Sequence, residues 1–166
     1  MSTLTATDLR LLRAAIAVSA RARAHGNEPY GAVLADADGN MRLDAENTQV
    51  TGRDCTGHAE LNLMRAASRD FDRDELARCT VYASGEPCPM CAGAIYWGGV
   101  GRVVFALDAA TMVTLAGEAA DEIDLRCAAV LAHGTRAVVV TGPALEDEAR
   151  QVFDTRPGFA NQDNHS

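Results

Sequence analysis

Residues 84–105, SGEPCPMCAGAIYWGGVGRVVF, decide how this chain is read. Pro87 and Pro89 bracket Cys88. Proline suits the first turn of a helix, where a missing N–H has no partner to lose. A helix is therefore expected to begin there and run to Trp97, ending at Gly98-Gly99, with a strand over 102–107. Cys88 and Cys91 then stand at i and i+3 on the first turn, so both sulfurs share one face near the positive end of the helix dipole, which favours thiolate. That spacing fits a metal clamp, a redox pair or two buried thiols, and by itself does not choose among them.

Outward from this segment the elements alternate. Leu9, Leu12, Ile16 and Ala20 recur at helical steps over 7–24, closed by His25-Gly26-Asn27. Residues 30–35 and 41–47 flank the turn-forming Asp36-Ala37-Asp38-Gly39-Asn40 and read as a hairpin. A helical period over 58–68 precedes a β-prone run at 79–83. Residues 108–132 are mainly helical but broken around Gly117, with acidic Glu118, Asp121, Glu122 and Asp124. A strand at 137–141, the breaker Gly142-Pro143 and a helix over 144–153 close the pattern. The expectation is a three-layer α/β/α sandwich around a five-stranded mixed sheet that is mostly parallel. Residues 1–166 read as one domain, with 155–166 a mobile tail.

Composition bounds the function. Apolar residues make up 48% and charged residues 23%, which sets disordered and low-complexity classes aside. Fifteen basic and 23 acidic residues give a net charge of −8, and every cation is arginine, so a general nucleic-acid footprint is missing. No run approaches the roughly 18 apolar residues of a membrane span, and MSTLTATDLR lacks the basic and apolar regions of a leader, so a cytoplasmic protein is expected. Five cysteines, an odd number, argue against a disulfide framework.

His58-Ala59-Glu60 supplies the missing piece, 30 residues before Cys88 with one helix and one strand between. A crossover of that length can bring two helix N-termini together. His58, Cys88 and Cys91 then give three ligands with one open tetrahedral position, the catalytic zinc pattern, and Glu60 stands ready to move protons. The combined H-x-E and P-C-x-x-C pattern is a signature of zinc nucleobase deaminases. With EPYGAVLAD at 28–36 and GHAELNLMRAA at 57–67, the chain resembles the cytidine deaminase-like superfamily over roughly 8–107, and within it the branch of bacterial guanine deaminases and tRNA adenosine deaminases.

The resemblance implies zinc held by His58, Cys88 and Cys91, with Glu60 as the proton shuttle. Asn47 would hydrogen-bond the substrate and the Ala59 N–H would face the ring, with Glu86 and Pro87 also at the substrate. A further acidic residue after the fourth strand is sought among Asp108, Glu118 and Asp121, and an aromatic cap at Phe153 or Phe159. Tyr96 and Trp97 would pack or lie at a homodimer interface. The expected reaction is zinc-dependent hydrolytic deamination of a small nucleobase or nucleoside, guanine foremost. A tRNA wobble-adenosine deaminase would normally need a basic surface. Cytosine or an aminotriazine is a further substrate class. A structural zinc module would require Cys55, Cys79 or Cys127 as fourth ligand.

Overall fold

The computed structural model describes residues 3–117 and 121–154. Helix α1 (Ala6–Ala24) opens with a capping box: Asp8 N–H donates to Thr5 Oγ1 at 3.1 Å, and Thr5 N–H donates back to the Asp8 carboxylate at 2.8 Å. Strands β1 (Gly31–Ala35) and β2 (Met41–Glu46) form the expected hairpin, paired antiparallel. Its turn is closed by Asp36 Oδ1, which accepts from the N–H groups of Asp38 and Asn40, while Gly39 takes φ +80°. After the short helix α2 (Gln49–Gly52) come α3 (Ala59–Asp70), α4 (Arg73–Ala77), β3 (Thr80–Gly85), α5 (Pro89–Gly98) and β4 (Arg102–Leu107). Helices α6 (Ala109–Ala116) and α7 (Cys127–Ala132), strand β5 (Val139–Thr141) and helix α8 (Glu146–Asp154) complete the order.

The sheet runs β2-β1-β3-β4-β5, with β1 antiparallel to both neighbours and β3, β4 and β5 parallel. The expected five-stranded mixed sheet is found, though two of its four pairings are antiparallel. Alternation along β1 divides the core: Ala32 and Leu34 pack with Leu63, Met64 and Ile95 of α3 and α5, whereas Val33 and Ala35 pack with Leu11, Leu12 and Ile16 of α1 and Phe153 of α8. Gly31 is required at the β1–α1 crossing, because a Cβ there would lie 2.5 Å from the Ala15 carbonyl.

Several boundaries differ from the sequence reading. The broken helical stretch is two helices separated by non-helical residues 121–126. The last helix starts at Glu146 because Leu145 takes a left-handed backbone, φ 58°. Helices α2 and α4 were not anticipated, although Asp72 and Glu75 form a readable capping box. The expected tail lies outside the described residues. No described helix is long and apolar enough to cross a membrane.

One buried carboxylate joins both helical and sheet elements. Asp8 accepts from Tyr82 Oη of β3 at 2.7 Å and from Arg102 of β4 at 2.6 Å, as well as from Thr5. Burial opposes its charge, but Arg102, the Thr5 N–H and Tyr82 together hold the carboxyl well below its usual value of 3.8. A carboxyl depressed in the folded state stabilises above its unfolded pKa, and that contribution is lost as pH falls through the folded value. Asp8→Asn should therefore cost about 2–3 kcal/mol at neutral pH. In urea unfolding, the deficit against the parent protein should be full at pH 7 and narrower at pH 3.

Candidate metal centre and active site

Strand direction collects the site. Tyr30 lies before β1, Asn47 after β2, Glu86 after β3 and Asp108 after β4, so all four fall on one edge of the sheet. The parallel strands β3 and β4 end there, the usual position for a site in an open α/β sheet. Helices α3 and α5 begin at that edge, with His58 and Cys88 as their N-cap residues and Pro89 opening α5. Asn62 of α3 ties its helix to the end of β2 by donating to the Glu46 carbonyl and Thr48 Oγ1.

His58 Nδ1 stands 3.6 Å from Cys88 Sγ and 3.5 Å from Cys91 Sγ. A tetrahedral zinc bonded to sulfur at about 2.3 Å and to nitrogen at about 2.0–2.1 Å would separate those atoms by about 3.6 Å. The donor set therefore fits the ion in both chemistry and spacing. Among the described residues the potential ligand group comprises these three side chains, and Cys55, Cys79 and Cys127 stand outside it. A fourth position is left open, which opposes the closed structural-zinc alternative.

The electrostatics suit a metal. Hydrogen bonds from Cys91 and from His58 bring the Cys88 thiol down to about 4, while its bond to Cys88 and its burial raise Cys91. The neighbouring Cys88 sulfur raises the His58 imidazole. Glu60, on the first turn of α3, is buried, and burial pushes its carboxyl pKa above the usual carboxylate value. Its Oε2 lies 3.4 Å from Cys91 Sγ.

A cavity open at its mouth adjoins the group. It is lined by His58, Glu60 and Cys88, by Tyr30 and Asn47 from the ends of β1 and β2, and by Glu86, Met112 and Glu122. Asn47 is 1% exposed, and its amide is oriented by Gln49, which accepts from Nδ2 at 2.8 Å and donates its N–H to Oδ1 at 3.0 Å. Each group of that amide keeps capacity for one more hydrogen bond. Gly85 permits the close wall, since a Cβ there would meet the Met112 sulfur and the Tyr30 ring.

Other expected residues fall elsewhere. Ala59 is the fully buried first residue of α3, with an N–H that has no acceptor within its helix. Pro87 is buried beside the site but does not line the cavity. Asp108 caps α6 through the Thr111 N–H at 2.7 Å, which also lowers its pKa, and it does not line the cavity. Nor does Asp121 line it. Phe153 packs edge-on behind Tyr30, ring centroids 5.4 Å apart, rather than over the cavity. Glu118 and Phe159 lie outside the described residues.

Sequence reading missed Tyr30, Met112 and Glu122 as cavity residues. Glu122 belonged to a recognised acidic cluster, but a non-helical segment offers no period by which to rank its members. Burial raises its carboxyl pKa, reinforced by the charge of Cys88.

Residues 5–107 match the family model for the cytidine and deoxycytidylate deaminase zinc-binding region. The chain is 35% identical to a probable cytosine deaminase of Schizosaccharomyces pombe, over 86% of this chain and 87% of that protein. It is 36% identical to a tRNA-specific adenosine deaminase of Haemophilus influenzae, over 59% of this chain and 57% of that protein. The solved structure of guanine deaminase from Nitrosomonas europaea superposes with a TM-score of 0.73 at 23% identity, covering 92% of this chain and 85% of that one, a likeness of fold. The chain thus belongs to the zinc-dependent cytidine and deoxycytidylate deaminase family and is a hydrolase of nucleobase or nucleoside C–N bonds.

Proposed function

We propose that this deaminase releases ammonia from a free, uncharged nucleobase, with guanine its best single substrate. The observation that carries the reading is the pairing, in one cavity, of the Glu122 carboxylate with the oriented Asn47 amide. Guanine offers a carbonyl and ring nitrogens to the free Asn47 N–H, and an N–H beside its amino-bearing carbon to a carboxylate acceptor. Zinc bound by His58, Cys88 and Cys91 supplies Lewis acidity that brings the pKa of water to about 7. Glu60 takes one proton from the attacking water at a carboxylate oxygen and passes it to the ring nitrogen, then takes the proton of the new hydroxyl and passes it to the departing amine. Oxygen is added to the amino-bearing carbon and ammonia leaves. Asn47 holds the ring, and the wall of Tyr30 and Met112 excludes water from its faces.

A net charge of −8, the lack of lysine and Glu122 at the cavity oppose a polyanionic substrate, and so oppose transfer of the tRNA activity. Cytosine is the second reading, favoured by the S. pombe relative that matches along most of both chains.

Homodimer formation through the α3–α5 face is part of the same proposal. Trp97 is 75% exposed there, beside a groove containing Leu61, Met64 and Ala94.

Ammonia release should be measured with guanine, guanosine, adenine, adenosine, cytosine, cytidine, ammeline and a tRNA anticodon stem-loop. Guanine should turn over and the stem-loop should not; turnover of cytosine alone would select the second reading. Glu60→Gln should keep one zinc per chain and lower kcat by a factor of about 10²–10⁴, the usual range for lost proton transfer. His58→Ala or Cys91→Ala should instead lose the zinc itself, read by metal analysis. Light scattering should give twice the chain mass of 17.5 kDa, and Trp97→Glu should shift it towards one chain.

A further inference from the structure

Glu86 is only 8% exposed, and neither group bound to its carboxylate is a cation. Oε2 accepts from the Ala109 N–H at 3.0 Å and Oε1 accepts from the Cys127 N–H at 2.9 Å. These are the first residues of α6 and α7. Glu86 itself is fixed to the end of β4, where its N–H donates to the Leu107 carbonyl at 2.7 Å. One carboxylate therefore binds both Ala109 and Cys127, the helix starts that flank Met112 and Glu122 of the cavity.

We propose that Glu86 is a positioning residue, a clamp that holds residues 109–117 and 121–127 against the substrate cavity and thereby sets which base the cavity accepts. The proposal rests on the reading of that cavity as the substrate site, but the clamp can be tested without substrate. Both hydrogen bonds use helix N-terminal N–H groups that have no acceptor within their own helices, so losing the carboxylate leaves one buried and one part-buried donor unmatched. Replacement by glutamine keeps the volume but offers one acceptor oxygen where two N–H groups point, and turns an amide N–H₂ towards the other donor. Residues 109–117 and 121–127 should then open locally, while β3, β4 and the three metal-binding side chains keep their places.

The experiment is hydrogen exchange on zinc-loaded protein, comparing the parent with Glu86→Gln. Exchange in peptides covering 110–116 and 121–127 should rise at least tenfold, with α1 and β1 unchanged and one zinc per chain retained. Unchanged exchange, or a rise spread equally over α1 and β1, would overturn the clamp. Ala109→Pro attacks the same bond from its other end. Proline is accepted at the first helical position, and Asp108 already has the extended backbone, φ −75° and ψ 161°, that proline requires before it. This variant should raise exchange in α6 but not in α7, and in the double variant α6 should exchange no faster than in Glu86→Gln alone. Additive increases would overturn the proposal, and Ala109→Pro decides the matter if Glu86→Gln does not fold. In kinetics, Glu86→Gln should raise KM for guanine about tenfold with a smaller change in kcat, and should narrow the preference for guanine over cytosine. If no free base turns over, the substrate reading fails while the exchange result stands by itself.

Discussion

The packing of α3 beside α5 on one face of the sheet sets every distance in the metal-binding group. Leu63, Met64 and Ala67 of α3 and Ala92 and Ile95 of α5 are buried together over Ala32, Leu34, Val81 and Val103 of the strands. Because side chains in such cores are close-packed, the two helices cannot slide without opening voids or creating clashes. Their N-caps, His58 and Cys88, are held near one another by that rigidity, far more than by attraction between imidazole and thiol. Apolar burial distributed over two helices and three strands thus becomes a fixed arrangement of ligand atoms.

The far end of α5 is secured as carefully as its first turn. Arg136 donates to the carbonyls of Tyr96, in the last turn of the helix, and of Val100 just beyond it, and its guanidinium stacks over the Tyr96 ring at 5.0 Å. Gly99 ends the helix in the left-handed region, φ +95°. With both ends bound, α5 presents Cys88 and Cys91 from a helix that has little freedom to fray.

Much of this was readable from residue types at fixed intervals. The Pro-Cys-Pro opening and the Gly98-Gly99 stop delimit α5, and β4 was expected at the residues where it occurs, because those signals act within a few residues of the chain. The His58, Glu60, Cys88 and Cys91 pattern was legible for the same reason. What escaped depends on contacts distant in sequence. Glu122 lies between helix starts held by Glu86, 23 and 41 residues away from its two partners, and no local periodicity records that closure. Phe153 was misjudged because an aromatic near a chain end looks alike whether it covers a ligand or supports the ring in front of it.

Among the described residues, the order β2-β1-β3-β4-β5 leaves two strands with an unpaired edge, and the fold makes both of them poor templates for adding another strand. At one border β5 spans only three residues, Val139–Thr141. At the other, β2 carries alternating Arg42, Asp44 and Glu46, with Asp44 and Glu46 drawn back onto Arg21 of α1 and Arg42 onto Asp36. A second chain docking edge to edge would have to displace those ion pairs and seat a row of charges against its own backbone. The sheet is thereby guarded against fibre-like growth from either border.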